Sequence, residues 1–527
     1  MEMKKIIFII LALGIFTSCE DFLAEEPRSE MSVDQFFSYP SHAYNAVNIL
    51  YRTGAPTFYS TGVYAGSRAM LGGYMSGYFD NEYKGQEVHV QHSQNLTLNA
   101  SNLAGYFDGA WDPCYLAISR ANFAIENIAE TPGLSEEEIN QLEAEARFFR
   151  AFNYFYLVKN FGDVPLILEP YSSLEGLYVE RTPSVQVYNQ IIEDLEFAVN
   201  EGGLEYLPMP QNEYRISRAT AATLLADVYL TVSGYPVLEN RYADAANAAR
   251  GVINSGNLSL IQHGATESQS AYNVLRQSDN ESEYIYSIEY DPSISQNYWQ
   301  PAITYPNLAT AWGIFAYSIT NNAYRPMPQL LNMFDEENDL RAQEKQYFHS
   351  SLTYTEDGQQ ITRNFETAPY LWHNDEALFE TGQNGKDMVV YRYAEVLLIA
   401  AEAIARSEGV TDEAIGYLAD VRDRAYWQTD RTQIVSELSG LSVDAFVEEV
   451  WKERLRELVL EYRLWSDVQR TRQFPVASGT GSGEIEFVDV VGHQTVWGRT
   501  IREMHLLFPI SENERQRNPN LSQNPGY

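Results

Sequence analysis

Two stretches of the chain combine aromatic rings with amide and charged groups but lack helical spacing. The first, residues 68–102, contains Tyr74, Tyr78 and Asn81. The second, residues 262–385, contains Tyr298, Trp299, Tyr305, Trp312 and Arg325. Flat aromatic faces can stack on the C–H-rich faces of sugar rings, and polar groups around them can bond the hydroxyls. These residues are therefore candidate ligand contacts, and packing beneath the loops is the alternative for the rings.

Carboxyl groups are numerous enough to raise the question of glycoside hydrolysis. Glycosidases hold two carboxyl groups roughly 5 to 10 Å apart across a bound sugar, which spacing in sequence cannot show. The acidic runs 136–138 and 335–337 are better explained as the first turn of a helix and a solvated loop. Glu453, Glu457 and Glu461 recur every fourth residue among arginines, which predicts surface or semi-buried ion pairs on one helix face.

Motifs for metal or nucleophilic catalysis are absent from the sequence. It contains no His-Glu-x-x-His, paired Cys-x-x-Cys or Gly-x-Ser-x-Gly, and its eight histidines are scattered. The oxygen-rich residues 335–339 could hold a structural calcium ion, although their spacing is not that of an EF-hand. We therefore expect no cofactor and leave the metal content open. Residues 474–486, with glycines at 479, 481 and 483, are predicted to form a loop.

Charge and cysteine content exclude several classes of protein. The formal net charge of −36 opposes binding to nucleic acid or to anionic membrane surfaces, whereas a neutral ligand is indifferent to it. The only cysteines are Cys19 and Cys114. Cys114 lies in a stretch of helical periodicity, which favours a small buried apolar side chain over a nucleophile.

The N-terminus has the pattern of a lipoprotein signal peptide. Lys4 and Lys5 precede an apolar run over residues 6–16, and Thr17-Ser18-Cys19 follows. The run is too short to span a bilayer. We expect cleavage after residue 18 and acylation of Cys19, so that no intramolecular disulfide forms and lipid anchors the protein.

Helical periodicity recurs along most of the remaining chain. Helices are predicted over residues 111–128, 141–160, 185–200, 218–232, 242–254, 391–406, 412–425 and 443–472. Short connections and many alanines favour stacked helical hairpins. Trp111, Trp451 and Trp465 fall inside such stretches and are predicted core residues. Stretches 53–102 and 262–385 have weak periodicity, so we expect loops with short strands there.

Ordered blocks of sequence resemble the SusD/RagB family from residue 19 to the last residue. The blocks are Cys19-Glu20-Asp21-Phe22-Leu23, residues 111–122, residues 145–155 followed by Phe161-Gly162-Asp163-Val164-Pro165-Leu166, residues 391–398, residues 461–468 and residues 507–527. The resemblance implies a mainly α protein, in which tetratricopeptide-like helix pairs form an α-α superhelical scaffold with long irregular loops and a few short strands.

The same resemblance implies a domain organisation and a setting in the cell. Residues 1–18 would be the signal peptide and 19–527 a single domain, with most helix pairs in 19–260, an irregular ligand side in 261–390, and C-terminal helices and a tail in 391–527. Family members are anchored at the outer membrane, face the exterior and cover a SusC-like TonB-dependent transporter. Glu20 and Asp21 resemble the export signal of such lipoproteins.

These observations predict a non-catalytic surface protein that binds an oligosaccharide and delivers it to the transporter. A RagB-like peptide receptor is the alternative within the family, and its ligand would be recognised mainly through backbone hydrogen bonds. A surface glycosidase is the alternative from another class.

Overall fold

The computed structural model describes residues 36–54, 71–171, 176–294, 301, 303–316 and 322–527, and over these residues the fold is mainly α. The helices are α1 Pro40–Thr53, α2 Val88–Gln94, α3 Ala104–Ile128, α4 Glu136–Phe161, α5 Ser184–Asn200, α6 Arg218–Ser233, α7 Tyr242–Ile253, α8 Ala271–Gln277, α9 Pro328–Leu331, α10 Tyr393–Glu408, α11 Asp412–Ala425, α12 Arg431–Leu438, α13 Val443–Glu457, α14 Leu464–Thr471 and α15 Glu512–Arg517. No helix in these ranges is both long and apolar enough to cross a membrane.

The ends of α4 illustrate how local sequence sets the helix bounds. The Ser135 hydroxyl accepts the backbone N–H of Glu138, and the Glu138 carboxylate accepts the Ser135 N–H at 2.8 Å. This reciprocal cap satisfies two backbone donors that the helix cannot pair. The helix ends at Phe161, and the φ of 72° at the next residue, Gly162, suits glycine. The acidic run 136–138 is therefore a first helical turn, as predicted.

Most predicted helices are confirmed, and two differences have local causes. The stretch 443–472 forms α13 and α14 instead of one helix, because the chain turns between them and Tyr462 adopts a φ of 62°. Residues 391–392 complete a strand before α10 begins at Tyr393. Helices α1, α2, α8, α9, α12 and α15 were not predicted.

Successive helices pack side by side into tetratricopeptide-like pairs. Helices α3 to α7 each contact the next in sequence, and α7 then contacts α10, which contacts α11 and α13. Small side chains such as Ala222, Ala400 and Ala403 are fully buried where these helices meet. Because alanine leaves room for a neighbouring backbone, the pairs pack closely into one scaffold.

Short strands occupy the regions between the helices. The described residues form four two-stranded antiparallel sheets: β1 Phe79–Asp80 with β3 Arg325–Pro326, β2 Tyr284–Ile288 with β6 Met388–Arg392, β4 Phe348–Glu356 with β5 Gln359–Pro369, and β7 Gln473–Ala477 with β8 Ile485–Asp489. The hairpin of β7 and β8 corrects the prediction of a loop over 474–486. Gly481 and Gly483 have positive φ and lie against Glu336 and Asp335, which shapes its turn.

The main hydrophobic core runs from Phe37 to Leu521 and joins the helices to the irregular regions. Cys114 is fully buried in it, as predicted, and burial raises the pKa of its thiol. Trp111 and Trp465 are also core residues, whereas Trp451 is only partly buried. A separate small core forms around Tyr305, Ala309, Leu352 and Leu378.

The glutamates of α13 form a buried ionic cluster, so the prediction of surface or semi-buried pairs is wrong for Glu453 and Glu457. The Arg–Glu cluster consists of Arg341, Arg392, Arg424, Glu283, Glu453 and Glu457. Glu457 binds Arg392 and Arg424 at 2.6 Å and Arg341 at 2.8 Å. Burial raises the pKa of Glu457, but the three guanidinium groups outweigh it and lower that pKa to about 2. The cluster ties Glu283 and Arg341 of the irregular region to the helical scaffold.

Candidate functional site

Five partly buried aromatic rings cover the small core on its outer side. This aromatic surface consists of Trp312, Phe315, Tyr354, Phe365 and Phe379. Trp312 is its centre, because its ring centroid lies 6.2 to 6.5 Å from those of three neighbours, Phe315, Tyr354 and Phe365. Its plane is inclined by 23° to Tyr354, 30° to Phe315 and 47° to Phe365. The rings thus form a cluster apart from the main core.

Three separate segments supply these rings. The 3₁₀ helix Asn307–Trp312 ends at Gly313, whose left-handed conformation turns the chain so that Phe315 also joins the surface. The backbone N–H of Ala316 then donates to the Leu378 carbonyl at 2.7 Å. One turn of π-helix, Glu376–Thr381, places Leu378 beneath the surface and Phe379 in it.

The β4–β5 hairpin supplies Tyr354 and Phe365. In the register Leu352 lies opposite Arg363 and Tyr354 opposite Ile361, so alternate residues share one face with Phe365. The Arg363 guanidinium donates to the Tyr354 hydroxyl at 3.3 Å. A charged group therefore stands at the edge of the aromatic surface, where a ligand hydroxyl could meet it.

A layer of buried polar rings supports the surface from below. The Tyr305 hydroxyl lies 2.9 Å from Nδ1 of His373, and Nε2 of His373 lies 2.8 Å from the Asp375 carboxylate. Burial lowers the pKa of His373, although Asp375 opposes that shift. His373 is therefore neutral near pH 7, and the chain of hydrogen bonds fixes the ring of Tyr305 under the surface.

His373 also lines a neighbouring pocket of mixed chemistry. This Trp372 pocket has a volume of about 70 Å³. Its lining residues include Arg276, Trp372, Asn374, Asn384, Lys386, Asp387 and Tyr462. The rings of Trp372 and Tyr462 lie 5.9 Å apart and are inclined by 33°. Aromatic faces with amide and charged groups beside them suit a small polar ligand.

Asp387 gives this pocket a testable pH dependence. Burial and the nearby Asp279 raise the pKa of Asp387 to about 7. The folded chain therefore retains a proton that the unfolded chain releases near pH 4, so Asp387 lowers stability as pH rises from about 4 to 7. We expect Asp387→Asn to increase stability by about 1–2 kcal/mol at pH 8 and to have little effect near pH 4.

Thermal unfolding between pH 5 and 8 measures this difference. Asp430→Asn is the matched control, since hydrogen bonds from Thr432 lower the pKa of Asp430. Removing this carboxylate should therefore decrease the stability of the protein as pH rises, whereas Asp387→Asn should increase it. A stabilisation by Asp387→Asn that does not grow with pH would contradict the assignment.

The structure places four predicted contact residues inside the protein. Tyr74, Tyr78, Asn81 and Tyr305 are each at most 3% exposed. The Tyr74 hydroxyl accepts the backbone N–H of Tyr324 at 3.1 Å, and the Tyr78 hydroxyl donates to the Pro475 carbonyl. Their rings face other parts of the chain, which disagrees with the prediction that they display a stacking face to a ligand.

The other predicted contact residues have different positions. Trp312 lies at the centre of the aromatic surface. Arg325 is ion-paired with Asp80 at 2.7 Å and with Glu366, so two carboxylates hold its guanidinium. Tyr298, Trp299 and Cys19 lie outside the described residues.

Sequence reasoning missed four members of the aromatic surface. One signal could have found the hairpin: Asp357-Gly358 lies between two stretches, 352–355 and 361–365, that are rich in β-branched and aromatic residues. Asp-Gly favours a tight hairpin turn, and both residues indeed have positive φ. No local pattern indicates that Phe315 and Phe379 meet at the same place.

In the loop over residues 335–339, two aspartate carboxylates bind other groups of the protein. Asp335 accepts backbone N–H groups of Glu337 and Asn338, and Asp339 pairs with Arg341 at 2.8 Å. In the described ranges no group of three or more His, Cys, Asp or Glu side chains is arranged to hold a metal ion.

Two family models match most of the chain. The model described as "SusD family" matches residues 332–527, and the model described as "Starch-binding associating with outer membrane" matches residues 21–230. Of the curated relatives, SusD-like protein P2 of Formosa agariphila is 28% identical over the full length of both chains. Starch-binding protein SusD of Bacteroides thetaiotaomicron is 26% identical over 78% of this chain and 76% of its own.

Solved structures have the same fold. A SusD superfamily protein from Parabacteroides distasonis superposes with a TM-score of 0.79 at 28% identity, covering 94% of this chain and all of that one. Surface glycan-binding protein A from Bacteroides thetaiotaomicron, in complex with laminarihexaose, superposes with a TM-score of 0.69 at 17% identity, covering 92% and 99%. The sequence and structural matches together identify the chain as a member of the SusD/RagB family.

Proposed function

We propose that the protein is a non-catalytic receptor that binds an oligosaccharide at the aromatic surface. The observation that carries the proposal is the cluster of partly exposed rings around Trp312, which lies apart from the main core. Partly exposed rings that do not stabilise the main core are available to a ligand. Sugar rings would lie against Trp312 and Tyr354, and Arg363 at the edge would bond ligand hydroxyls.

The energetics of such a surface suit capture and release. Stacking removes aromatic and C–H surface from water, but association costs translational and side-chain freedom. A few exposed rings then give modest affinity, which lets a receptor pass its ligand on. The Trp372 pocket, which shares His373 with the supporting layer, offers further hydroxyl contacts through Asn374 and Asn384.

The comparisons support this proposal without naming the ligand. One relative is a starch-binding protein, and one protein of the same fold is in complex with laminarihexaose. The cargo of this chain would be an oligosaccharide, and its sugar and linkage are left open. We further propose delivery to a SusC-like TonB-dependent transporter through the helical scaffold, with the protein facing the cell exterior.

Isothermal titration against a panel of oligosaccharides tests the proposed function. We expect at least one glycan to bind at micromolar to millimolar concentration and to be recovered intact after prolonged incubation. Shortened products would favour the glycosidase alternative. If no glycan binds and peptides co-purify with the protein, the RagB-like peptide receptor would be favoured.

Anchoring through Cys19 has its own test. A thioether-linked lipid at Cys19 would hold the protein at the outer membrane, because several acyl chains bind far more firmly than one. We expect Cys19→Ser to move the protein from the membrane fraction to the soluble fraction. Cys114→Ser is the matched control and should leave the distribution unchanged. Equal membrane retention of Cys19→Ser would contradict lipidation at this residue.

A further inference from the structure

A second, larger cavity lies where the carboxyl end of α4 meets α14 and the C-terminal tail. Its volume is about 460 Å³. Val158, Pro236, Met504 and Leu507 give it apolar walls. It shares no lining residue with the Trp372 pocket and no residue with the aromatic surface. Nothing in the proposed glycan binding uses it.

The lining is positively charged although the chain as a whole is strongly acidic. Its basic residues are Lys159, Arg470, Arg472 and Arg502, and its one acidic residue is Glu503. Arg470 is held by Glu402 at 2.6 Å, and Arg472 is held by Glu503 at 2.7 Å. In the described part of the chain, Lys159 and Arg502 have no carboxylate within ion-pairing distance. Among the described residues, the positive charges of Lys159 and Arg502 are therefore not neutralised by a direct ion pair.

Lys159 and Tyr188 present unused donors to the same region. The Lys159 ammonium lies 4.0 Å from the centre of the Phe155 ring, and the Tyr188 ring packs against Phe155 at 6.4 Å. Tyr188 is 4% exposed, and its hydroxyl has no hydrogen-bond partner among the described residues. The hydroxyl itself is open to the cavity, so an acceptor that enters the cavity could take its hydrogen bond.

The charge of Lys159 adds to the case. Burial lowers the pKa of its ammonium, and among the described residues Asp227, the carboxylate with the largest opposing effect, makes no ion pair with it. A negatively charged group in the cavity would pair with the ammonium in a poorly solvated setting, where such contacts are strong. The apolar walls, in turn, favour a ligand with an apolar body.

We propose that this cavity binds a small organic anion, a carboxylate carried on a short apolar body. The carboxylate pairs with Lys159 and accepts a hydrogen bond from the Tyr188 hydroxyl. The apolar body lies against Pro236, Met504 and Leu507. The negative charge of the whole chain opposes anions at long range, so this local arrangement of donors must supply the specificity.

Calorimetric titration of the full chain with three probes tests the ligand class. Hexanoate has both the carboxylate and the apolar body, hexan-1-ol lacks the charge, and acetate lacks the apolar body. We expect hexanoate to bind and each of the other probes to bind at least about tenfold more weakly. No binding of hexanoate at millimolar concentration, or equal binding of hexan-1-ol, would overturn the proposal.

Substitutions of lining residues test whether hexanoate binds in this cavity. Lys159→Met keeps most of the side-chain stem but removes the charge, and should weaken hexanoate binding about tenfold or more. Tyr188→Phe removes only the hydroxyl and should weaken it about threefold to tenfold. Lys452→Met, on α13 and paired with Glu449, is the control. Hexanoate that binds Lys159→Met as tightly as the unmodified protein would overturn the site, and unchanged thermal unfolding of that variant would show that it is folded.

Discussion

Arg392→Met is expected to destabilise the protein by about 3–5 kcal/mol, because it removes one partner from a buried ionic cluster. Arg392 is fully buried and pairs with Glu283 at 3.0 Å, Glu457 at 2.6 Å and Glu461 at 2.8 Å. Methionine fills a similar volume but cannot neutralise these carboxylates. Glu457 retains Arg341 and Arg424, whereas Glu461 is left with no ion pair among the described residues.

Urea denaturation measures this loss, and hydrogen exchange locates it. Because Glu283 and Arg341 belong to the irregular region, exchange should increase in β2 and around residues 340–348. Arg431→Met is the control, since its pair with Asp420 is largely exposed and should contribute no more than about 1 kcal/mol. Equal destabilisation by the two substitutions would mean that the Arg–Glu cluster does not hold the two regions together.

Trp312→Ala is expected to reduce oligosaccharide affinity by at least about tenfold, equivalent to about 1.4 kcal/mol. Trp312 is the ring that contacts three others in the aromatic surface, so its loss removes one stacking face and loosens the arrangement of its neighbours. Large aromatic residues at the centre of an interface commonly carry most of its binding energy. Since Trp312 is only partly buried, the fold should survive the change.

Titration calorimetry with a glycan chosen from the panel measures the effect. Trp427→Ala is the matched control, because Trp427 is 57% exposed but lies outside the aromatic surface. Tyr354→Ala should weaken binding in the same direction as Trp312→Ala. If Trp312→Ala and Trp427→Ala bind the glycan equally well, the site lies elsewhere.

The helical scaffold could be predicted from sequence because its signals are local. Periodic apolar residues, the capping pair of Ser135 and Glu138, and the stop at Gly162 all act within a few residues of one another. The split between α13 and α14 was missed because apolar periodicity continues through it. Only the left-handed conformation of Tyr462 marks the turn there.

Burial in the irregular regions could not be predicted, since it depends on contacts between distant residues. Tyr78 is covered by Pro475 and Phe474, and Tyr74 by Tyr324. Surface or semi-buried pairs were predicted for Glu457 because its partners Arg341 and Arg392 lie far away in sequence. In each case the sequence around one residue gives no indication of its distant partner.

The candidate site was predicted only in part for the same reason. Trp312 lies in polar, irregular sequence, and this setting indicated a ring that is not needed in a core. The rings around it come from a hairpin and a π-helical turn whose approach is fixed by tertiary contacts such as Ala316 to Leu378. The sequence therefore predicted Trp312 but not the four rings around it.

A crystal structure of the protein with an oligosaccharide that it binds would test the central claim most directly. The account predicts sugar rings stacked against Trp312 and at least one of its neighbours Tyr354 and Phe365, with Arg363 near a sugar hydroxyl. A glycan bound at another part of the chain, with the aromatic surface left empty, would contradict it.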